Sequence, residues 1–236
     1  MGQTRNETGP VATVIIVDDH PMVRGAMRQA LSSEVDAGPQ GRGPVRVIEA
    51  EGPDALRSAL ATTEEVDLVL LDLAMPGVSG LSGLMALRAE HPSLPVMVVS
   101  ATSDEATVGR AMRLGASGFI PKSSGLEEIR DAVGTVLRGD LWQPAGTDAA
   151  GEAARGGEVD ELVERLAQLT PQQSRVLAMM AQGLLNKQIA YELSVSEATV
   201  KAHVSAVLAK LGVDSRTQAV IALNRLGADV VSAAAV

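Results

Sequence analysis

Short apolar runs, each closed by a polar or turn residue, recur through the first 140 residues of the chain. Runs this short and this continuous are typical of strands that are buried on both faces, as in a parallel sheet. Three of them end on side chains that can do chemistry, namely Asp18, Asp72 and Ser100. The predicted strands are residues 13–18, 45–50, 66–72, 96–100 and 118–121.

Amphipathic segments with helical spacing lie between these strands. Pro21 suits the first turn of a helix, Asp104 suits a helix start, and Gly115 suits a helix end. Five strands that alternate with five helices predict an α/β fold, a doubly wound parallel sheet with right-handed crossovers. The predicted helices are residues 21–33, 54–61, 79–90, 104–114 and 126–138. Residues 36–44 are rich in Gly and Pro, so we expect a flexible loop there.

The pattern becomes wholly helical in the last third of the chain. Residues 143–158 are rich in Ala, Gly and Thr without apolar periodicity, which is typical of a linker. A short helix over 161–169 leads into four helices at 170–182, 186–193, 197–211 and 215–226, and we expect a frayed tail over 230–236. We therefore predict a first domain over residues 11–140, a linker over 141–164, and a four-helix all-α domain over 165–228.

Composition narrows the function classes. The chain has 236 residues and no cysteine, which excludes disulfides and thiolate metal sites. No apolar run approaches the ~18 residues of a membrane span, and residues 1–10 lack the core of a signal peptide. We therefore expect a soluble, cytoplasmic protein that contacts no membrane.

Charge is divided unevenly between the two parts. The chain carries a net charge of −9, whereas residues 169–236 hold six basic and four acidic side chains, a net of +2. An acidic front and a mildly basic back suggest two different tasks. Charge drift on the surface is the alternative, and charge alone does not establish nucleic-acid binding.

The strand ends carry the candidate chemistry. Asp18, Asp19 and Asp72 follow buried strands, and the carboxyl ends of parallel strands meet at one edge of the sheet. Three neighbouring carboxylates repel one another, and Mg²⁺, which prefers oxygen ligands, would relieve that repulsion. Asp72 would keep an oxygen free to attack a phosphoryl group, Lys122 would neutralise the developing charge, and Ser100 would donate a hydrogen bond.

Each of these residues also has a simpler interpretation. A single aspartate at a strand end is usually a cap, a lysine after a strand is usually solvated, and Phe119 alone is most simply a core residue. It is the joint pattern that favours a phosphoryl-accepting site.

This pattern resembles the receiver domain of two-component response regulators over residues 13 to about 138. The resemblance implies the flavodoxin-like strand order 2-1-3-4-5 and phosphorylation of Asp72 by a histidine kinase. It implies Mg²⁺ held by Asp18 or Asp19, by Asp72 and by the backbone carbonyl of Ala74. It also implies that Ser100 and Phe119 move together, with the aromatic ring turning inward. The motifs that carry it are Asp18-Asp19, Asp72 with Met75-Pro76-Gly77, Ser100-Ala101, and Gly118-Phe119-Ile120-Pro121-Lys122.

The helical part, residues 169 to about 226, resembles a LuxR-type helix-turn-helix, and the whole chain resembles a NarL/FixJ-class response regulator. Such a helix pair places its second helix in the major groove of double-stranded DNA. The candidate DNA contacts are Lys187, Ser196, Thr199, Lys201, His203 and Lys210. The motif residues are Leu169 to Leu177, Asn186 to Ala190, Ser196 to Val204, and Lys210 to Val213.

These contacts have alternatives as well. Lys201 can be a solvated lysine, Ser196 only a cap, and His203 a satisfied polar residue. A charge of +2 predicts weak binding by one copy, so we expect a homodimer in the active form. Its interface is predicted on the last helix, at Ala219, Val220, Ile221 and Leu226. The alternative is that these residues belong to the core of the domain.

We therefore predict a DNA-binding regulator that phosphorylation of Asp72 controls, and not an enzyme. An aspartyl phosphatase or phosphotransferase would need a second acid two residues beyond its nucleophile, where Ala74 stands. A receiver that has lost phosphorylation and a sigma-factor-like helix-turn-helix remain as further alternatives.

Overall fold

A computed structural model describes residues 10–75, 80–147 and 157–233. The predicted turn at Pro76-Gly77 and the start of the predicted helix at Ser79 lie outside these residues. In chain order the elements are β1 (Ala12–Val17), α1 (Pro21–Ala30), β2 (Val35–Asp36), β3 (Arg42–Gly43), β4 (Val45–Ala50), α2 (Pro53–Thr62), β5 (Leu68–Asp72), α3 (Leu81–Glu90), β6 (Val96–Ser100), α4 (Glu105–Arg113), β7 (Gly118–Pro121), α5 (Leu126–Leu137), α6 (Glu158–Ala167), α7 (Pro171–Ala181), α8 (Asn186–Glu192), α9 (Glu197–Leu211) and α10 (Arg216–Ala233).

The five long strands form one parallel sheet in the order β4-β1-β5-β6-β7. Counted without the two short strands, this is the order 2-1-3-4-5, so the expected flavodoxin-like topology is confirmed. Alternating side chains of β1 point to opposite faces of the sheet. Ile15 and Val17 pack in a core with residues of α2, α3 and α4, whereas Val14 and Ile16 pack with residues of α1 and α5.

The prediction of a flexible loop over residues 36–44 is wrong. Strands β2 and β3 pair in an antiparallel hairpin, closed by a 3₁₀ turn at Gly38–Gln40. Val35 and Ala37 are buried, and Gly38 has a left-handed φ of +64°. A Cβ at Gly38 would lie 2.8 Å from Arg138 Cγ, which is too close for an ordinary contact. The glycines and proline shape a tight turn against α5, and composition alone could not distinguish this from a mobile segment.

Both ends of the predicted linker contain ordered contacts or secondary structure. Trp142 extends the sheet at its β7 edge, because the N–H of Phe119 donates to Trp142 O at 3.1 Å and the N–H of Trp142 donates to Ser117 O at 3.2 Å. At the other end, α6 begins at Glu158, within the range that the sequence assigned to the linker. The part of the linker prediction at residues 148–156 lies outside the described residues.

The helical part has the four predicted helices, α7 to α10, preceded by α6. Thr170 caps α7 in a reciprocal capping box with Gln173, and Ser196 caps α9. Gly212 ends α9 with a left-handed φ of +68°. Helix α10 runs to Ala233, past the predicted end at 226 and into the predicted frayed tail, of which residues 234–236 lie outside the described part.

The two parts of the chain pack against each other. Helix α3 contacts α7 and α10, helix α4 contacts α6, and buried apolar side chains of both parts form one continuous cluster. None of the described helices is long and apolar enough to cross a membrane.

Candidate functional site

The predicted acidic residues meet at the carboxyl edge of the sheet. Asp18 follows β1 and Asp72 ends β5, and these are adjacent strands, so both side chains lie in one pocket and are almost fully buried. Asp19 is partly exposed. One carboxylate oxygen from each of the three and one ring nitrogen of His20 lie within 4.8 Å of one another.

One lysine is shared between the two buried acids. Lys122 Nζ lies 2.8 Å from Asp18 Oδ2 and 2.9 Å from Asp72 Oδ2. Its backbone N–H donates to Ser100 O at 2.8 Å, which continues the pairing of β6 and β7 by one residue. The sheet therefore places Asp18, Asp72 and Lys122 in contact, with Ser100 at the end of the strand beside β5.

Backbone N–H groups orient the polar side chains of the pocket. Asp18 Oδ1 accepts from the N–H of His20 at 2.7 Å, and Asp72 Oδ1 accepts from the N–H of Ala74 at 3.1 Å. Ser100 Oγ accepts from the N–H of Thr102 at 3.2 Å. Each strand-end side chain thus bonds the backbone two residues further on, which leaves the hydroxyl hydrogen of Ser100 available to a ligand.

The charges in this pocket act on one another. Burial raises the pKa of Asp72 and the charge of Asp18 adds to the rise, while Lys122 and the N–H of Ala74 act against it. For Lys122, burial favours the neutral amine, but the hydrogen bonds and charges of Asp18 and Asp72 outweigh it and raise the pKa of the ammonium. Lys122 is therefore charged, and it neutralises only part of the carboxylate charge.

The donor set suits a hard divalent cation. Carboxylate oxygens from two adjacent strands converge here, and one ammonium cannot offset all of them. Mg²⁺ takes one or two carboxylates and keeps several waters, which a partly open pocket allows. The cluster is compatible with Mg²⁺, and the Ala74 carbonyl lies on the same loop, two residues after Asp72.

Sequence reasoning missed His20. Its Nδ1 lies 2.7 Å from Asp19 Oδ1 and 3.3 Å from Asp18 Oδ1, while the ring is largely exposed. Its position directly after Asp18-Asp19 was the available signal. His20 thus places a ring nitrogen beside the acids at the same edge of the sheet.

Phe119 is fully buried in the core that contains Leu71 and Val98. The ring therefore already has the inward position that the resemblance assigns to the phosphorylated state.

The exposed face of α9 carries small side chains and one cation. Lys201 is 65% exposed and its Nζ lies 3.2 Å from Glu197 Oε1. His203 is only half-exposed, whereas Lys187 on α8 is exposed. Ser196 Oγ accepts from the N–H of Thr199 and lies 2.8 Å from Thr199 Oγ1, so Ser196 caps α9 and Thr199 is its partner. The solvent-facing residues of α9 after its first turn include Lys201, Ala202, Ser205 and Ala209.

Lys210 occupies a different position from the other candidates. Its Nζ donates to Gln168 O at 2.9 Å and to Gln173 Oε1 at 2.8 Å, which joins the end of α9 to the α6–α7 junction. This geometry gives Lys210 a structural role within the helical part, and we leave it out of the DNA contacts proposed below.

A buried ion pair joins the two parts of the chain. Asp160 on α6 is 6% exposed, and its Oδ1 accepts from Arg110 Nε at 2.9 Å and from Arg113 Nη2 at 2.8 Å. Both arginines lie on α4, one turn apart, and α4 follows Ser100 after a short loop. No sequence pattern pointed to this contact, because its partners are far apart along the chain.

Comparison with known families agrees with this geometry. A family model described as the response regulator receiver domain matches residues 14–134. A second model, described as bacterial regulatory proteins of the luxR family, matches residues 167–223. The two matches correspond to the sheet-containing part and to the helical part.

Similar proteins span nearly the whole chain. The glycerol metabolism activator of Pseudomonas putida is 39% identical over 215 residues, which cover 88% of this chain and 93% of that protein. The nitrate/nitrite response regulator protein NarL of Escherichia coli K12 is 34% identical, covering 89% of this chain and 94% of that one. A solved complex of the two-component response regulator RcsB with DNA has a TM-score of 0.50 at 25% identity, covering 93% of this chain and 98% of that one.

The Lys122→Met substitution tests the charge balance of the pocket. It leaves Asp18 and Asp72 as buried carboxylates without their cation, and we expect a loss of about 3–5 kcal/mol in the free energy of unfolding at neutral pH. The pKa of Asp72 is higher in the folded protein than its unfolded value of 3.8. The stability that this shift contributes is therefore fully present below pH 3.8 and is lost as pH rises through the pKa of the folded state.

Because Lys122 holds the pKa of Asp72 down, its removal raises that pKa further. The loss of stability should therefore be larger at neutral pH than near the unfolded pKa of 3.8. Urea unfolding of both proteins across this range measures it. An equal loss at both ends would contradict the electrostatic explanation.

Proposed function

Because the chain belongs to the response regulators that join a receiver domain to a LuxR-type DNA-binding domain, we propose that a phosphoryl group on Asp72 controls its binding to double-stranded DNA. The protein is a DNA-binding transcriptional regulator. Asp72 would be the acceptor, Lys122 and Ser100 would assist it, and the contact between α4 and α6 would carry its state to the DNA-binding part.

The observation that carries the proposal is the shared lysine. Asp72 lies in a pocket where Lys122 Nζ is within 2.9 Å and where burial disfavours its charge. The N–H of Ala74 donates to Asp72 Oδ1, and the other carboxylate oxygen, Oδ2, faces Lys122. This is the geometry that an acyl phosphate requires, with a cation beside the oxygens that gain charge.

The donor would be a phosphohistidine of a histidine kinase. The Asp72 oxygen forms the new P–O bond while the P–N bond to the histidine breaks, and the histidine takes up a proton. Asp18, Asp19, Asp72 and the Ala74 carbonyl would hold Mg²⁺, which supplies neutralisation of the carboxylate and phosphoryl oxygens. Lys122 would move from the carboxylates to a phosphoryl oxygen, and Ser100 would donate its hydroxyl to another.

The contact between α4 and α6 offers the route to the DNA-binding part. A hydrogen bond from Ser100 to the phosphoryl group would shift the short loop that leads into α4, which carries Arg110 and Arg113. These arginines hold Asp160, and α6 in turn reaches the end of α9 because Arg165 Nη1 donates to Leu211 O at 3.1 Å. Phosphorylation would thereby loosen a closed state in which α3 also covers α7 and α10.

In the closed state the receiver covers part of α10 and leaves the outer face of α9, the proposed DNA-reading helix, uncovered. The outer face of α9 is already exposed, so the receiver would inhibit by restricting domain movement and pairing of two copies. Ala219 is buried whereas Ile221 is half-exposed, which leaves part of the predicted dimer face open. The side chain of Leu226, the last residue of that predicted face, lies outside the described part. We propose a homodimer as the active DNA-binding form.

On DNA, Lys201 would be the central contact, to a phosphate or a base edge, and His203 would be a further contact. Phosphate oxygens would accept from Lys187, Ser196 and Thr199. The protein would act as a regulator without catalytic activity of its own, since Ala74 stands where a phosphatase or phosphotransferase needs a second acid. Its site of action would be the cytoplasm, where the DNA is.

The Asp72→Asn substitution tests the acceptor. The wild-type protein, treated with a small phosphodonor and Mg²⁺, should gain the mass of one phosphoryl group in intact-protein mass spectrometry. Asp72→Asn should gain none, because an amide cannot take the place of the nucleophilic carboxylate. Asp131→Asn, at an exposed position on α5, is the matched control and should keep the gain. A gain in Asp72→Asn equal to that of the wild type would remove Asp72 as the acceptor.

The Asp160→Asn substitution tests the route. It weakens both ion pairs to α4, so the unphosphorylated protein should bind its operator about 5-fold more tightly or better, as expected for a coupling free energy of at least about 1 kcal/mol. Glu161→Gln is the control, because Glu161 is exposed and pairs with Arg165 of its own helix. Unchanged DNA affinity of unphosphorylated Asp160→Asn in a mobility-shift titration would rule out this contact as an inhibitory one.

The Lys201→Ala substitution tests the DNA surface. Loss of one phosphate or base contact should weaken binding and reduce the slope of log affinity against log salt by about one. Arg46→Ala removes the same charge from an exposed position on β4 of the receiver and should leave the slope unchanged. Equal slopes for Lys201→Ala and the wild type would dismiss the contact.

A further inference from the structure

Arg24 is a buried cation behind the acidic pocket. It lies on α1, is 7% exposed, and its Nη1 donates to the backbone O of Asp18 at 2.7 Å in a buried hydrogen bond. That oxygen belongs to the peptide group that joins Asp18 to Asp19. The guanidinium therefore contacts the one peptide plane from which two of the three pocket acids project.

The guanidinium is itself held from β4. Arg24 Nε lies 3.1 Å from Glu49 Oε2, and Nη2 lies 3.6 Å from Glu51 Oε1. A buried arginine is costly unless it is paired and hydrogen-bonded, and Glu49 supplies that pairing. The planar fork of donors lets one side chain bridge helix α1, the end of β4 and the end of β1 at the same time.

Other contacts already fix much of Asp18. Its N–H donates to Ala50 O at 3.2 Å, and its Oδ1 accepts from the N–H of His20. The contact from Arg24 adds the carbonyl group to these. Rotation of the Asp18–Asp19 peptide would turn the two carboxylates relative to each other, and their mutual repulsion favours such a rotation.

We propose that Arg24 is a positioning residue for the cation site: by holding the carbonyl of the Asp18–Asp19 peptide, it sets the relative direction of the two carboxylates and so the affinity for Mg²⁺. This rests on the proposed function of the pocket. It assigns to an arginine that touches neither the cation nor the phosphoryl group the task of keeping the ligands converged. Outer residues that orient metal ligands typically contribute 10- to 100-fold in metal affinity.

Arg28 provides a matched control on the same helix. Its Nη1 lies 2.8 Å from Oε1 of the same Glu49, but it is 65% exposed, and among the described residues it has no contact with Asp18. If Arg24 served only to pair with Glu49, the two arginines would be equivalent in kind. If it positions the peptide, only Arg24 should affect the cation.

The experiment measures the Mg²⁺ dissociation constant of the full-length, unphosphorylated chain by titration calorimetry, with unfolding measured alongside. Arg24→Lys keeps the charge but not the fork, and Arg24→Met loses both. We expect both to weaken Mg²⁺ binding about 10-fold or more, and Arg28→Met to stay within about twofold of the wild type. If Arg24→Met does not fold, Arg24→Lys decides alone.

A second readout separates positioning from general damage. The rate of phosphorylation by a small phosphodonor should need more Mg²⁺ in Arg24→Lys but should recover at saturating Mg²⁺. Wild-type Mg²⁺ affinity in the Arg24 variants, or an equal loss in Arg28→Met, overturns the inference while leaving Asp72 as acceptor intact. Absence of Mg²⁺ binding in the wild type would overturn the cation site itself, and the inference with it.

Discussion

The pocket is governed by an excess of negative charge that the fold holds in place. Asp18 and Asp72 share one ammonium, and Asp19 lies beside them with its Oδ1 2.7 Å from His20 Nδ1. Each buried carboxylate accepts a hydrogen bond from a backbone N–H two residues downstream, which opposes rotation of the side chain away from its neighbours. Strand pairing and core packing offset this energy cost, and the remaining negative charge makes the site compatible with a divalent cation.

The sheet and the pocket were predictable because their signals are local. The run from Leu68 to Leu71 is apolar at every position and is followed by Asp72, which predicts both a buried strand and the position of Asp72 at the sheet edge. The hairpin at residues 36–44 was not predictable in this way, since glycine and proline are typical of tight turns and of flexible loops alike. Arg24 and Asp160 were missed because their roles depend on contacts with residues distant in sequence.

Lysines 201 and 210 show the same limit within one helix. Both lie on α9 and both suit a DNA-facing position by residue type. Lys201 points to solvent beside Glu197, whereas Lys210 bonds Gln168 and Gln173 inside the helical part. Helical spacing places residues on faces, but the face that meets another helix is decided by packing of α6 and α7, which the sequence of α9 does not contain.

Trp142 gives this protein a built-in optical reporter. It is the one tryptophan of the chain, and its backbone is hydrogen-bonded to Phe119 and Ser117 at the edge of the sheet. Its indole emission therefore reports on a single place, the β7 edge of the sheet at the end of the receiver domain. Because the side chain is only partly shielded from water, displacement of this edge changes the polarity around the ring and hence the wavelength of its emission maximum.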